Sequence, residues 1–188
     1  VREFYCPAQS QRIELAGAAE GGIAQGPIGF VGGVAHEGYV VARCEPAGLR
    51  LRVALRAGDR TLAEATAGPI GERWQKLPFT LPPLQETASA EVRLTATGPG
   101  TVWLGAVSIM PADNLDGWRR DVVEALRAIK PSAIRWPGGN FASQYDWREG
   151  LGDRDRRPPR WNRAWNHWEW NDVGTDEFLR LCRILGAT

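Results

Sequence analysis

A change of period divides this chain. Up to about residue 110 apolar side chains recur at every second position, and beyond it they recur at helical spacing. Leu49, Leu51, Val53 and Leu55 share one side of a run whose other side is Arg50, Arg52 and Arg56. That alternation predicts a strand with one face in a core and one in water. Leu77, Phe79 and Leu81 alternate in the same way, as do Ala90, Val92, Leu94 and Ala96 against Glu91, Arg93 and Thr95. Gly58 with Asp59, and Gly98-Pro99-Gly100, supply turns. Residues 101–110 are nearly all apolar and predict a central strand. With 12–15, 23–28, 39–44 and 61–65, about eight short strands are expected, the signature of an all-β sandwich of jelly-roll type. The glycine-rich stretch 21–33 reads as loop-prone around its strand. It lacks the strand-to-helix setting of a phosphate loop.

The period switches at residues 111–114, a polar break that sets the expected domains at 1–112 and 113–188. Beyond it, Asp116 is expected to cap a helix over 117–130 with Trp118, Val122, Ala125, Leu126 and Ile129 as its apolar stripe. Pro131 ends that helix. A short buried strand is expected over 132–136, stopped by Pro137, which has no N–H to donate. A long loop, 138–174, leads to a helix over 175–185 with Phe178, Leu181, Cys182 and Leu185 inward. Helix, strand, helix is the rhythm of an α/β domain.

Charge and cysteine usage narrow the function. A formal net charge of +1 gives no strong attraction to nucleic acid or to an acidic membrane, and the apolar runs are too short to span a bilayer. Cys6, Cys44 and Cys182 form no metal-binding pattern. Buried free thiols are expected, with a Cys6–Cys44 bridge as the alternative. The chain begins at Val1 with no visible signal peptide, and a preceding segment is expected.

Candidate site residues cluster in the second half. Arg135 lies in a predicted strand, where a guanidinium calls for an anionic partner; a structural ion pair is the plainer alternative. Asn140 offers amide donors and an acceptor just past the strand end. Seven of nine tryptophans lie from Trp118 onward. Trp161, Trp165, Trp168 and Trp170, with Tyr145 and Trp147, form either loop core or a wall for stacking on sugar rings. In the sandwich, Phe30, Tyr39, Trp74 and Trp103 leave the same choice open. The mixed-charge run 153–160 is expected to be an internally paired surface loop rather than a phosphate site, since mixed signs cancel the field. His36 beside Glu37 is expected to be a solvated loop pair.

The ordered series Arg135-Trp136-Pro137-Gly138-Gly139-Asn140-Phe141, Ser143, Tyr145, Trp147, Gly150, Gly152, Arg157-Pro158, Trp165, Glu169, Asn171, Gly174 and Glu177-Phe178 resembles the α-L-arabinofuranosidases of glycoside hydrolase family 51. The stretch that carries it runs from about residue 104 to 188, and the sandwich resembles a carbohydrate-binding module more loosely. The resemblance implies the start of a (β/α)₈ TIM barrel, incomplete in this chain because a full barrel takes about 250 residues. It implies a retaining hydrolase that removes terminal arabinofuranosyl groups from arabinose-containing oligo- or polysaccharides. Neither a metal nor an organic cofactor is implied, and a homo-oligomer is. The catalytic glutamate pair is expected downstream, so Asp146, Glu149 and Glu169 are not expected to serve as it. Arg135 would support the nucleophile, and Asn140 and Trp165 would contact substrate. Tyr145, Glu169 and Asn171 are further candidates for that site. A non-catalytic carbohydrate-binding protein is the alternative.

Overall fold

The computed structural model describes residues 5, 9–17 and 19–188. Two compact units stand out, Ser10–Asp113 and Asn114–Thr188. Cys6 lies outside the described residues, so the proposed bridge to Cys44 does too.

The first unit holds eight strands: β1 (Gln11–Leu15), β2 (Gly21–Phe30), β3 (His36–Glu45), β4 (Leu51–Ala57), β5 (Arg60–Ala67), β6 (Gln75–Leu81), β7 (Thr87–Ala96) and β8 (Gly100–Pro111). They form two antiparallel four-stranded sheets, β1-β8-β3-β6 and β2-β7-β4-β5. Consecutive strands mostly alternate between the sheets, the winding of a jelly roll. The all-β sandwich predicted from the alternation is therefore what forms, and the apolar strand β8 is central, between β1 and β3.

The core is aliphatic. Leu51, Val53 and Leu55 of β4 meet Val40, Ala42 and Cys44 of β3 and Leu94, Val102 and Leu104 across the two sheets. Each fully buried leucine or valine contributes about 1.5–3 kcal/mol relative to exposure. The Cys44 thiol is buried and donates to the carbonyls of Pro46 and Ile70, 3.0 and 3.2 Å away.

Two sequence expectations fail here. Residues 21 and 22 belong to β2 rather than to a loop: a Cβ on Gly22 would strike the backbone of Leu94 and Thr95, so glycine permits close strand approach. His36 is buried in β3, edge-on to Phe30 at 5.2 Å, instead of solvated. Strand alternation turns its ring inward while Glu37 stays outside.

The second unit contains α1 (Arg120–Ile129), a two-stranded hairpin of β9 (Arg160–Asn162) and β10 (His167–Glu169), and α2 (Thr175–Leu185). Three short 3-10 turns order the rest of the long loop. Helix α1 begins later than expected, and Asp116 does not cap it. Asp116 instead sits at φ 55° in a tight turn closed by Leu115 and Trp118 and by the Asn114 side chain accepting from Gly117 N–H. The buried residue of α1 is Val123, while Val122 and Ile129 are 40% and 73% exposed. Of the stripe read from the sequence, Val122, Ala125 and Ile129 are uncovered, while Trp118 and Leu126 are half-buried.

Residues 132–136 form no regular strand and are not buried. A strand needs partners on its edges, and here one pair of bonds is present. Ile134 N–H donates to Thr188 O at 2.8 Å, and Thr188 N–H donates to Ser132 O at 3.1 Å. Residue 188 thereby bonds both sides of residue 133, the hydrogen-bond pattern of a parallel pair.

Candidate functional site

The segment after residue 135 is anchored by aromatic packing. Trp136 stacks on Phe178 of α2 with centroids 3.9 Å apart, and meets Tyr145 and Phe141 edge-on at 5.5 and 6.2 Å. Trp118 packs edge-on against the other side of the cluster, 5.5 Å from Phe178, and its indole N–H donates to Glu177 O. This fixes where the Gly138–Asn140 turn starts. Arg135 and Asn140 are both exposed, and neither side chain has a hydrogen bond or ion pair among the described residues. The guanidinium of Arg135 lies over Gly138, with Nη2 3.8 Å from where a Cβ would stand.

Trp165 stands on the turn of the β9–β10 hairpin. Asn162 Oδ1 accepts from Trp165 N–H at 3.1 Å, Asn162 Nδ2 donates to Glu169 at 2.8 Å, and Asn166 takes φ 55°. Asparagine suits both tasks, since its amide closes local turns and it tolerates the left-handed region. Trp161 and Trp168 are opposite each other across the strands, edge to face at 5.5 Å, and Trp170 follows at 6.4 Å. Trp161, Trp165, Trp168 and Trp170 are 46%, 65%, 51% and 59% exposed. Of the two readings left open, loop core or open wall, the indoles form the open surface.

The other candidates are engaged within the unit. Glu169 accepts from Asn162 and lies 3.5 Å from His167 Nε2. Tyr145 Oη is 3.3 Å from Thr175 Oγ1. Asn171 is buried at φ 55°, its Nδ2 donating to Pro158 O at 2.7 Å. Glu149 is paired with Arg160, and Asp146 accepts from Arg148 N–H in its own turn.

The centre of this unit is an ion pair that the charge pattern did not disclose. Arg157, expected in a surface loop, has a side chain only 2% exposed. Nη1 donates to Glu177 Oε2 at 2.6 Å and to Asn171 O at 3.0 Å; Nη2 donates to Glu177 Oε1 at 3.0 Å and to Gly152 O at 2.9 Å. Glu177 also accepts from Gly174 N–H at 2.8 Å, capping α2 from its third residue. Burial pushes the Glu177 carboxyl upward, but the Arg157 fork and the Gly174 N–H outweigh it and leave the group below the ordinary carboxylate range. The available signal was Glu177 at the third position of a predicted helix, where a carboxylate reaches back to the helix start. Asp153 and Arg156, in the same run, do pair at the surface, 3.8 Å apart.

In the sandwich, the outward face of the β1-β8-β3-β6 sheet carries Trp103 and Arg43, directly opposite in register. The Arg43 guanidinium lies 3.7 Å over the Trp103 ring and 5.9 Å from Trp74, and bonds Glu45 at 2.8 Å. One indole face is therefore already filled by a cation. Phe30 is buried, and Lys76 Nζ lies 4.0 Å over the Tyr39 ring. On the opposite sheet an open groove of about 430 Å³ is lined by Glu20, Arg50, Arg52, Thr66 and Thr95 among others.

Residues 125–188 match the family model described as "Alpha-L-arabinofuranosidase 1 domain". The matched stretch is arabinofuranosidase-related. It includes the indole hairpin, Arg135, Asn140 and the Arg157–Glu177 pair. "Alpha-L-arabinofuranosidase C" of Emericella nidulans is 50% identical over 77 residues, 41% of this chain and 15% of that protein. "Intracellular exo-alpha-L-arabinofuranosidase" of Bacteroides ovatus is 43% identical over 89 residues, 47% of this chain and 17% of that protein. The chain thus spans under a fifth of the length of these arabinofuranosidases. A solved structure, the C-terminal CBM6 of LamC from Zobellia galactanivorans, aligns with 54% of this chain and 99% of its own at 13% identity and a TM-score of 0.37. The sandwich assignment rests on strand order and not on that likeness.

Proposed function

We propose that this chain is part of a retaining α-L-arabinofuranosidase of glycoside hydrolase family 51, acting on terminal arabinofuranosyl groups of arabinan or arabinoxylan fragments. In this reading residues 113–188 are the first part of a (β/α)₈ barrel. The parallel bonding of residues 132–134 to Thr188, with α2 between, supports it, because parallel strands joined through a helix are the repeat of such a barrel. In the same reading Arg135 and Asn140 would lie at the end of the first barrel strand, at the edge where such barrels handle substrates. An exposed arginine without a partner is suited to hold a neighbouring carboxylate ionised. Asn140 is free to bond sugar hydroxyls, and Trp165 presents a ring face to the apolar side of a sugar.

Catalysis in this reading needs two further glutamates, about 5–5.5 Å apart. One protonates the leaving oxygen, and the other attacks the anomeric carbon to form a glycosyl-enzyme that water then opens. Neither is among the carboxylates of this chain. Asp146, Glu149 and Glu169 are committed to local bonds. Assembly into a homo-oligomer belongs to the same reading of the full-length protein.

The observation that carries the proposal is the match of residues 125–188, reinforced by the open tryptophan surface within it. The test is the full-length gene product on an aryl α-L-arabinofuranoside, with product anomers followed by NMR. Release of arabinose with retained configuration is expected, and no turnover by the 188-residue chain alone. A full-length protein that binds arabinan without cleaving it would establish instead a non-catalytic carbohydrate-binding protein, the second reading that the exposed indoles favour.

A further inference from the structure

The β9–β10 hairpin has an unusual attachment. Its large side chains Trp161 and Trp168 are about half exposed and Trp165 more so, so apolar burial holds it only in part. Three polar links among the described residues add to this. The Asn162–Glu169 bond closes the hairpin on itself and orients nothing else. The Arg160–Glu149 pair links β9 to the preceding turn through several bonds, but it is exposed on the arginine side, where solvent screens part of its strength. The third link is buried. Arg157, three residues before β9, donates to the carbonyl of Asn171, two residues after β10, while Asn171 donates back to the carbonyl of Pro158. The two legs of the hairpin are thus tied to each other at their base. The same guanidinium grips Glu177 in the first turn of α2 and Gly152 in the preceding loop.

We propose that Arg157 is the positioning residue for the tryptophan surface: its fork sets the angle at which Trp161, Trp165 and Trp168 are presented, from a base referenced to α2. The planar guanidinium can make these four bonds at once in one orientation, which a lysine ammonium cannot reproduce. Asn171 at φ 55° supplies the carbonyl that completes the joint. The consequence for ligand binding rests on the indoles being the sugar-contacting surface, as proposed above. The placement itself does not.

The test is fluorine NMR of the 188-residue chain labelled with 5-fluorotryptophan, resonances assigned by single Trp→Phe changes. Arg157→Lys keeps the charge and loses the fork. Glu177→Gln keeps an acceptor for Gly174 N–H, so the start of α2 is retained while the ion pair is removed. Both variants are expected to shift the signals of Trp161, Trp165 and Trp168 more than that of Trp136, which packs in the aromatic cluster without bonding the pair, and to leave Trp74 and Trp103 in place. Affinity for a linear arabino-oligosaccharide is expected to fall about tenfold, the worth of one misplaced stacking face. Unmoved hairpin signals in both variants would overturn the proposal. So would movement of Trp136 as large as that of the hairpin, because the pair would then hold the unit as a whole. Shifted hairpin signals in a chain with no affinity for the sugar would uphold the positioning role and discard the sugar reading of the surface.

Discussion

The two units are held together by opposite means. The sandwich buries a continuous aliphatic core, with Leu51, Val53, Leu55 and Val102 fully inaccessible. In the second unit Val123 and Leu181 are the buried hydrophobic side chains among the described residues, while Arg157, Asn162, Asn171 and Glu177 are its buried polar ones. Hydrophobic burial scales with area and tolerates small shifts. A buried ion pair is demanding in geometry and costly to break from one side. The sandwich is therefore tolerant in detail and stable as a whole. The second unit depends on a few angles.

That contrast can be broken most forcefully at Arg157. Arg157→Ala strands a buried carboxylate and is expected to cost the second unit about 3–5 kcal/mol. In urea, tryptophan emission, dominated by this unit, should then report unfolding well before the β-sheet signal in circular dichroism. Coincident transitions would show that the units do not differ in this way. Next in size, Leu55→Ala opens a cavity in the sandwich and should cost about 2–5 kcal/mol, lowering the sheet midpoint while the emission of the hairpin tryptophans is unaffected.

Acid should separate the units more gently. Burial lowers the pKa of His36, an effect that Asp113 and the Val34 backbone only partly offset. A lowered folded pKa means the unfolded chain binds the proton first, so this contribution is full above about pH 6.5 and is lost as pH falls through the lowered value. Glu177, also lowered, contributes fully above about pH 4.3 and fails only at more acid pH. A pH series of urea midpoints should show the sandwich weakening first. His36→Phe should remove that early phase. The smallest effect is expected on the outer sheet surface. Arg52 bonds Glu64 at 2.6 Å, but both side chains are about half exposed, and Arg52→Gln should leave both midpoints nearly unchanged.

The sandwich was legible because its information is local and repetitive. The strands at 49–55, 77–81 and 90–96 announce themselves by alternation, and about eight short strand segments separated by turns leave few architectures. The second unit was legible only in outline. The α2 stripe of Phe178, Leu181 and Cys182 could be read, but the inward residue of α1, Val123, could not: Val122 and Ile129 are equally apolar, and only the neighbours decide which side is covered. The strand expected at 132–136 likewise depends on partners, of which Thr188 supplies one. Among site residues, the exposure of the tryptophans could not be chosen from sequence, because an indole serves a core or a surface equally well. Arg157 was concealed by its setting, a run of alternating charges that looks self-neutralising while its true counterion sits 20 residues on.

Gly150 and Gly174 bring the loop and the head of α2 into direct backbone contact, so near that a Cβ on Gly174 would stand 2.6 Å from Gly150 Cα and 2.7 Å from its carbonyl oxygen. Backbone cannot yield as a flexible side chain can, so this junction is a hard stop. It gives the helix a fixed datum along its own axis, and even a single added methyl group on either residue would act as a shim, prising the two chains apart.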